Sequence, residues 1–255
     1  MSSSTQSMGD RLKAYEPKDA LMQKSWVVAR LDGRAFSKFT ADMNKPFDSF
    51  FTDAMVATAK YLQKKYHAVV AYTQSDEITL VFDYTESVQG EMLFAGRKQK
   101  VASVLAGTAS AKFTQCLLTL LPHKIPDGLD ADVPEMDCRV YCVPSVEEAA
   151  NTILWRQQDC LRNSISMLGR AHFSHKELQG VSSPEIARKL WDEKQVLWDD
   201  VDAKFRYGTT LYYKEEVEIL MDGLASCTRR KQQQIQEYFP GADGHKKLVM
   251  LLTDS

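Results

Sequence analysis

Apolar and polar positions follow two rhythms along this chain. From Trp26 the run Trp26-Val27-Val28-Ala29-Arg30-Leu31 is almost continuously apolar and stops at Asp32-Gly33-Arg34. That pattern predicts a mostly buried strand ended by a turn. After Pro46 the spacing turns helical, with Phe47, Phe50, Phe51, Met55, Ala59 and Leu62 on one face, which predicts a helix to about His67. Ala68 to Thr73 and Ile78 to Phe82 are β-rich runs flanking Gln74-Ser75-Asp76-Glu77, and they read as a hairpin. A long helix is expected from about Glu91 to Leu120, where Leu93, Val101, Val104, Leu105 and Phe113 share an apolar face. A loop follows from Leu121 to Pro134. Cys138 to Val143 reads as a fourth strand, after which Ser145, with Glu148 three residues on, predicts a capping box for a helix carrying Ile153, Leu154, Trp155, Cys160 and Leu161. The order β-α-β-β-α-β is that of a ferredoxin-like sheet, an α+β fold. A further helix is expected near Ser183-Pro184, and Phe205 to Leu220 reads as a small β-hairpin region. The Ser-rich residues 1–9 are expected to form a flexible tail.

Composition narrows the function. The chain has 255 residues, with 32 Lys plus Arg against 34 Asp plus Glu and a net charge of −2. A wholesale basic nucleic-acid binder is excluded, although a local basic groove is not. Five cysteines in no paired spacing argue against a disulfide framework and fit a reducing cytoplasm. No apolar run approaches the roughly 20 residues of a membrane span, and the amino terminus has no apolar signal segment. His172 and His175 lack cysteine partners at ligand spacing and read as structural rather than zinc-binding.

In a sheet of this topology, Asp32 at the end of the first strand lies beside Asp76 and Glu77 in the hairpin turn. Carboxylates crowded in this way repel one another unless a divalent cation neutralises them. Mg²⁺ suits a few carboxylates completed by water and substrate phosphates, and two such ions support phosphoryl or nucleotidyl transfer. Taken singly, a D-G turn and an S-D-E turn are ordinary loop chemistry; their placement at corresponding strand ends gives them weight. Phosphates also need cations. Lys45 precedes the first helix, and Arg97, Lys98 and Lys100 are expected on the long one, where Arg97 and Lys100 share a face that the topology can set beside the carboxylates. Gly33 offers a backbone that phosphate can approach closely.

Taken in order, several stretches resemble the tRNA-His guanylyltransferase superfamily, the 3′–5′ nucleic-acid polymerases. They are Gly9 to Glu16, Arg30-Leu31-Asp32-Gly33-Arg34-Ala35-Phe36, Ala71 to Glu77, Phe94-Ala95-Gly96-Arg97, Cys138 to Ser145, Trp155-Arg156-Gln157-Gln158-Asp159 and Tyr207-Gly208-Thr209. The resemblance implies a polymerase-type palm over residues 10–215, with 216–255 as an extension packed on the same domain. It implies activation of a tRNA 5′ end with ATP or GTP, then attack by the 3′-hydroxyl of an incoming nucleotide. Asp32 and Asp76 resemble ligands to two Mg²⁺ ions, Gly33 contributes its carbonyl, and Glu77 is a catalytic carboxylate beside them. Arg34, Ala35, Phe36 and Ser37 are expected to wrap the triphosphate mainly through backbone groups, while Lys45, Ser75, Arg97 and Lys100 resemble phosphate-holding side chains. Arg139, Arg156, Arg162 and Asn163 are the RNA-binding candidates. Family members are usually homotetramers, and that state is the expectation for this chain.

One departure bears on substrate. Where eukaryotic members carry His-Ile-Asn-Asn, this chain has Leu161-Arg162-Asn163-Ser164, and Leu161 cannot replace the histidine as a hydrogen-bonding group. The region is closer to the guanylyltransferase-like proteins of bacteria, archaea and phages, so template-directed repair of tRNA 5′ ends is the preferred expectation. Strict addition of G−1 to tRNA-His, a nucleotide cyclase on a similar sheet, and a non-catalytic RNA-binding module are the alternatives. The Gly-Gly-Asp/Glu-Glu-Phe signature of diguanylate synthases is absent.

Overall fold

The computed structural model describes residues 7–87, 91–121, 133–219 and 226–254. The first strand, β1 (Trp26–Gly33), lies inside the sheet, and its apolar run, broken only at Arg30 before Asp32, fits burial on both faces. It pairs antiparallel with β3 (Glu77–Asp83) on one side and with β4 (Met136–Val143) on the other. β2 (Val70–Gln74) forms the hairpin with β3. The sheet continues through β5 (Thr209–Ile219) and β6 (Ser226–Ile235), giving the antiparallel order β4-β1-β3-β2-β5-β6. Its first four positions are the ferredoxin-like arrangement that the sequence predicts.

Alternation along the strands sorts side chains into two cores. Val27, Ala29, Leu31, Ile78, Leu80 and Phe82 face α3 (Ser49–Tyr66) and α4 (Lys98–Leu120). Trp26, Val70, Tyr72 and Val81 face α5 (Val146–His172) and α9 (Gly241–Thr253), where Ile153, Phe239, Leu248 and Leu252 complete a second core. The short helices α1 (Met8–Lys13), α2 (Phe36–Phe39), α6 (His175–Leu178) and α8 (Ala203–Tyr207) flank these layers, and α7 (Ser183–Lys194) packs on the far half of α5.

Several boundaries differ from the sequence reading. Ser7 caps α1, so a helix begins at Met8 inside the stretch expected as tail; residues 1–6 lie outside the described residues. The helix expected from Glu91 begins only at Lys98, because Phe94, Ala95 and Gly96 have φ of 52°, 54° and 69° and a right-handed helix cannot pass through left-handed residues. Most of the expected 121–134 loop lies outside the described residues. The hairpin expected within 205–220 is larger: α8 occupies 203–207, and β5 pairs with both β2 and β6. The expected division at 215 and 216 falls inside β5. At α5 only one arm of the capping box forms. Ser145 Oγ accepts from the Glu148 amide at 3.4 Å, while the Glu148 carboxylate accepts from Asn151 at 2.8 Å.

Candidate functional site

The strand pairing fixes which charged side chains meet. Asp32 lies opposite Glu77 on β3 and opposite Asp137 on β4, so three carboxylates stand in one row across the end of the sheet. Directly opposed like charges destabilise a sheet unless compensated. Asp76 joins the row from the two-residue β2–β3 turn, where Ser75 takes φ 47°, as a tight hairpin requires. The amide of Gly33 donates to the Asp76 carbonyl at 3.1 Å, which ties the end of β1 to that turn.

Compensation across the row is uneven. Glu77, expected in the turn, is instead the first residue of β3 and is buried. It receives Arg156 Nε at 2.7 Å, and Arg156 also binds Asp159 at 2.8 Å. Burial nevertheless pushes the Glu77 carboxyl above its ordinary range, against the pull of that guanidinium. Asp137 has Arg139 at 3.3 Å, and the same guanidinium is 3.9 Å from Asp32. Asp76 has no ion-paired lysine or arginine among the described residues. Burial first, and then the charge of Asp32, raise its carboxyl above the usual carboxylate range, while a Ser75 hydrogen bond acts in the other direction.

A cavity of about 490 Å³ opens at this end of the sheet. Phe36, Ser37, Lys45, Ser75 and Asp76 line it together with Asn163, Met167 and Arg170 of α5 and Phe205. Phe205 stacks on Phe47 at 4.7 Å between centroids. Lys45 Nζ donates to the Thr40 carbonyl at 2.7 Å, so its ammonium is held at the rim. Gly33 has a packing reason of its own: a Cβ there would lie 2.5 Å from the Phe36 ring, which is buried against Phe51 and Phe113. Ala35 turns the chain into α2 with φ 55°.

Other candidates are placed differently. The Arg34 amide donates to the Glu135 carbonyl at 2.9 Å and its guanidinium pairs with the Glu135 carboxylate, so Arg34 is engaged away from the cavity. Arg156, an RNA-binding candidate, is buried between Glu77 and Asp159 and offers no exposed guanidinium to a phosphate. Arg162 is exposed and pairs with Asp159 at 2.7 Å. Arg97 and Lys100 are not brought to the carboxylates within one chain. β3 runs from Glu77 away to Asp83, a span of about 20 Å. The chain then reaches Arg97 at the opposite end of the sheet, where the Leu21 amide bonds the Gly96 carbonyl and the next amide, that of Met22, meets Cys142 near the end of β4. Arg97 is moreover the cap of α4 rather than a residue on its face, and Lys100 packs over the Phe94 ring.

Sequence reasoning missed Asp137, Glu135, Arg170 and Phe205. Strand register could have revealed Asp137; the others come together only through tertiary packing. Among the described residues no group of three or more His, Cys, Asp or Glu side chains has metal-holding geometry. The donor set still fits a hard divalent cation. Asp32 and Asp76 supply two carboxylates, one of them without a cationic partner, beside backbone oxygens and an open cavity, and Mg²⁺ is commonly held by one or two carboxylates plus water and phosphate.

An α+β sheet with acidic residues in a row across the ends of β4, β1 and β3 and a cavity opening beside them defines the class of protein. Within that class, the family model described as tRNAHis guanylyltransferase (Thg1) matches residues 9–144, and the chain belongs to this family. A solved bacterial Thg1-like protein in complex with ATP is 35% identical, with a TM-score of 0.74 over 81% of this chain and 88% of that one. A bacterial Thg1-like protein in complex with GTP is 25% identical, with a TM-score of 0.76 over 96% and 99%. Among sequence relatives, an uncharacterised protein of Acanthamoeba polyphaga mimivirus is 26% identical over 80% of this chain and 76% of its own. The tRNA(His) guanylyltransferase of Neurospora crassa is 33% identical over 60% and 51%. No helix in the described residues is long and apolar enough to cross a membrane.

Proposed function

We propose that this chain is a magnesium-dependent nucleotidyltransferase that adds nucleotides in the 3′-to-5′ direction to the 5′ end of tRNA, after activating that end with ATP or GTP. The observation that carries the reading is the Asp76 carboxyl, half-buried beside Asp32, without a cationic partner among the described residues, on the wall of a cavity that also holds Lys45 and Ser75. Asp32 and Asp76 hold the two cations, with the Gly33 carbonyl as a third donor. When bound, magnesium supplies activation of the attacking hydroxyl and stabilisation of the leaving phosphate oxygen. Lys45, Ser75 and the backbone of Ala35 to Ser37 hold the triphosphate, and Asn163 borders the same cavity. Glu77 we assign as a positioning residue. Its ion pair with Arg156 fixes the start of β3 against α5 and so sets the Asp76 turn. The ATP and GTP complexes of the bacterial relatives support nucleotide occupancy of this fold. We propose a single catalytic unit in which β5 and the chain after it belong to the same sheet and core, in a cytoplasmic homotetramer.

Template-directed repair is the preferred substrate reading. Leu161 packs among apolar side chains of the α5–α7 cluster and offers no hydrogen bond to an RNA base. Strict addition of G−1 to tRNA-His is the second reading, favoured by the named activity of the fungal relative. The test uses purified protein, Mg²⁺, ATP and GTP with two 5′-monophosphorylated transcripts: a tRNA lacking its first nucleotide, and tRNA-His lacking G−1. Extension of truncated tRNAs of several types by the nucleotide that pairs with the 3′ strand is the expected result. Extension of tRNA-His alone establishes the second reading, and no extension of either rejects both.

A further inference from the structure

Trp155 stands outside the cavity, next to Arg30 of β1. It is on α5 but is not among the cavity residues, and it is 48% exposed. The Arg30 guanidinium is 5.2 Å from its ring centroid and that of Arg156 is 4.4 Å away. Arg156 is buried and clamped by Glu77 and Asp159. Arg30 is half-buried on β1, with an Nε that has no hydrogen-bond partner. Both guanidinium groups lie over the indole, and about half of Trp155 still faces solvent. The cations draw the ring down by cation–π attraction and hold it in one orientation.

Its surroundings are equally specific. Arg30 lies two residues before Asp32 and directly opposite Arg139 on β4, so two guanidinium side chains stand together on one face. Arg139 is 54% exposed and reaches to 3.9 Å from Asp32. Opposed cations on neighbouring strands cost stability. A phosphate placed between them removes that cost. A flat aromatic surface beside paired cations is the chemistry that receives a nucleobase with its attached phosphate.

We infer that Trp155 is the stacking platform for the unpaired 5′-terminal base of an RNA, with Arg30 and Arg139 on the adjoining phosphate. This rests on the proposed transfer to an RNA 5′ end, and it divides the approach to Asp32: the nucleotide enters by the cavity and the RNA end crosses β1 and β4.

The probe is an RNA hairpin with a 5′ monophosphate, 2-aminopurine as its unpaired 5′-terminal base and a dye at the 3′ end. Dye anisotropy reports binding, and 2-aminopurine fluorescence reports stacking. The expected result is binding accompanied by quenching. Trp155→Ala should abolish the quenching and weaken binding by about 5- to 150-fold, the range for loss of one base–aromatic stack. Trp155→Phe should retain most of both, and Trp191→Ala, at an indole 45% exposed elsewhere on the surface, should change neither. A thermal melt identifies any variant that fails to fold, in which case Trp155→Phe and wild type decide the matter by their quenching. Binding without quenching, or equal quenching in folded Trp155→Ala, overturns the inference and leaves the transfer reading intact. Quenching of 2-aminopurine riboside triphosphate alone, with none for the RNA, overturns it in favour of a nucleotide site. No anisotropy change at all removes RNA as the substrate, and both readings fall together.

Discussion

The two ends of the sheet carry opposite chemistry. At one end Asp32, Glu77 and Asp137 stand in register, with Asp76 in the turn beside them, and a cavity opens against α5. At the other end the chain enters α4 through Arg97, Lys98 and Lys100, with no acidic residue in the first turn. Cations at a helix N-terminus oppose the helix dipole. Sequence patterning alone merges these groups into one phosphate site, since Arg97 follows Asp76 by only 21 positions. The structure separates them, because β3 carries the chain away from Asp76 before α4 begins. Proximity in sequence across a hairpin strand is therefore no guide to proximity in space.

The carboxylate end is itself divided, and its largest expected effect lies in the buried half. Removing one partner of a buried ion pair leaves an uncompensated charge, at a cost of about 3–5 kcal/mol. Arg156→Ala should lower stability by that amount in chemical denaturation, whereas Glu77→Gln with Arg156→Met should cost much less than the two single changes summed. Additive losses would show that Arg156 does not neutralise Glu77.

Next in size is the uncompensated half. Asp76→Asn and Asp32→Asn should each reduce turnover by about 10²–10³-fold, the range for loss of one electrostatic stabiliser. They should also abolish the stabilisation that Mg²⁺ gives the wild type, about 2.7 kcal/mol at one hundred times the dissociation constant, read as a rise in melting temperature. Arg97→Ala and Lys100→Ala should leave the Mg²⁺ shift unchanged. A shift lost in Arg97→Ala would erase the distinction between the two ends.

Lys45→Ala sharpens the same contrast on the nucleotide side. Loss of one charge-assisted phosphate contact should weaken ATP or GTP binding by about 1.5–3 kcal/mol in isothermal titration. Arg97 stands too far from Asp76 to make such a contact within one chain. A matching loss in Arg97→Ala that is restored by mixing with Asp76→Ala protein would mean that a second copy supplies it.

Much of this was legible from residues. The four strands of the ferredoxin-like unit, the helix ending near His67 and the convergence of Asp32 with Asp76 follow from apolar runs and turn chemistry, which are local signals, although that helix starts at Ser49 under an Asp48 cap and not at Pro46. The late start of α4 was not legible, because left-handed Phe94 and Ala95 are residue types that ordinarily continue a helix. Nor was the commitment of Arg156 to Glu77, a contact across 79 positions that depends on how α5 crosses the sheet. Strands β5 and β6 were blurred for another reason. Polar positions such as Lys214, Glu215 and Glu216 face Lys231, Arg230 and Arg229, so the strands lack the alternating apolar signal.

The smallest expected effect concerns how the carboxylate end is enclosed. Lys204, beside Phe205 on α8 and on the cavity wall, reaches Asp53 of α3 at 3.2 Å. Lys204 is 16% exposed and Asp53 55%, so solvent screens the pair, and such pairs contribute about 0.2–1 kcal/mol. Asp53→Ala should therefore move the denaturation midpoint slightly, by an amount that shrinks as salt is raised. Ring packing of Phe205 and Tyr207, together with the Tyr72 hydroxyl donating to the Tyr207 carbonyl, then carries most of the attachment of α8. A double-mutant cycle between positions 53 and 204 measures this directly. A coupling well above about 1 kcal/mol would make the ion pair, and not ring packing, the fastening that closes this end of the sheet.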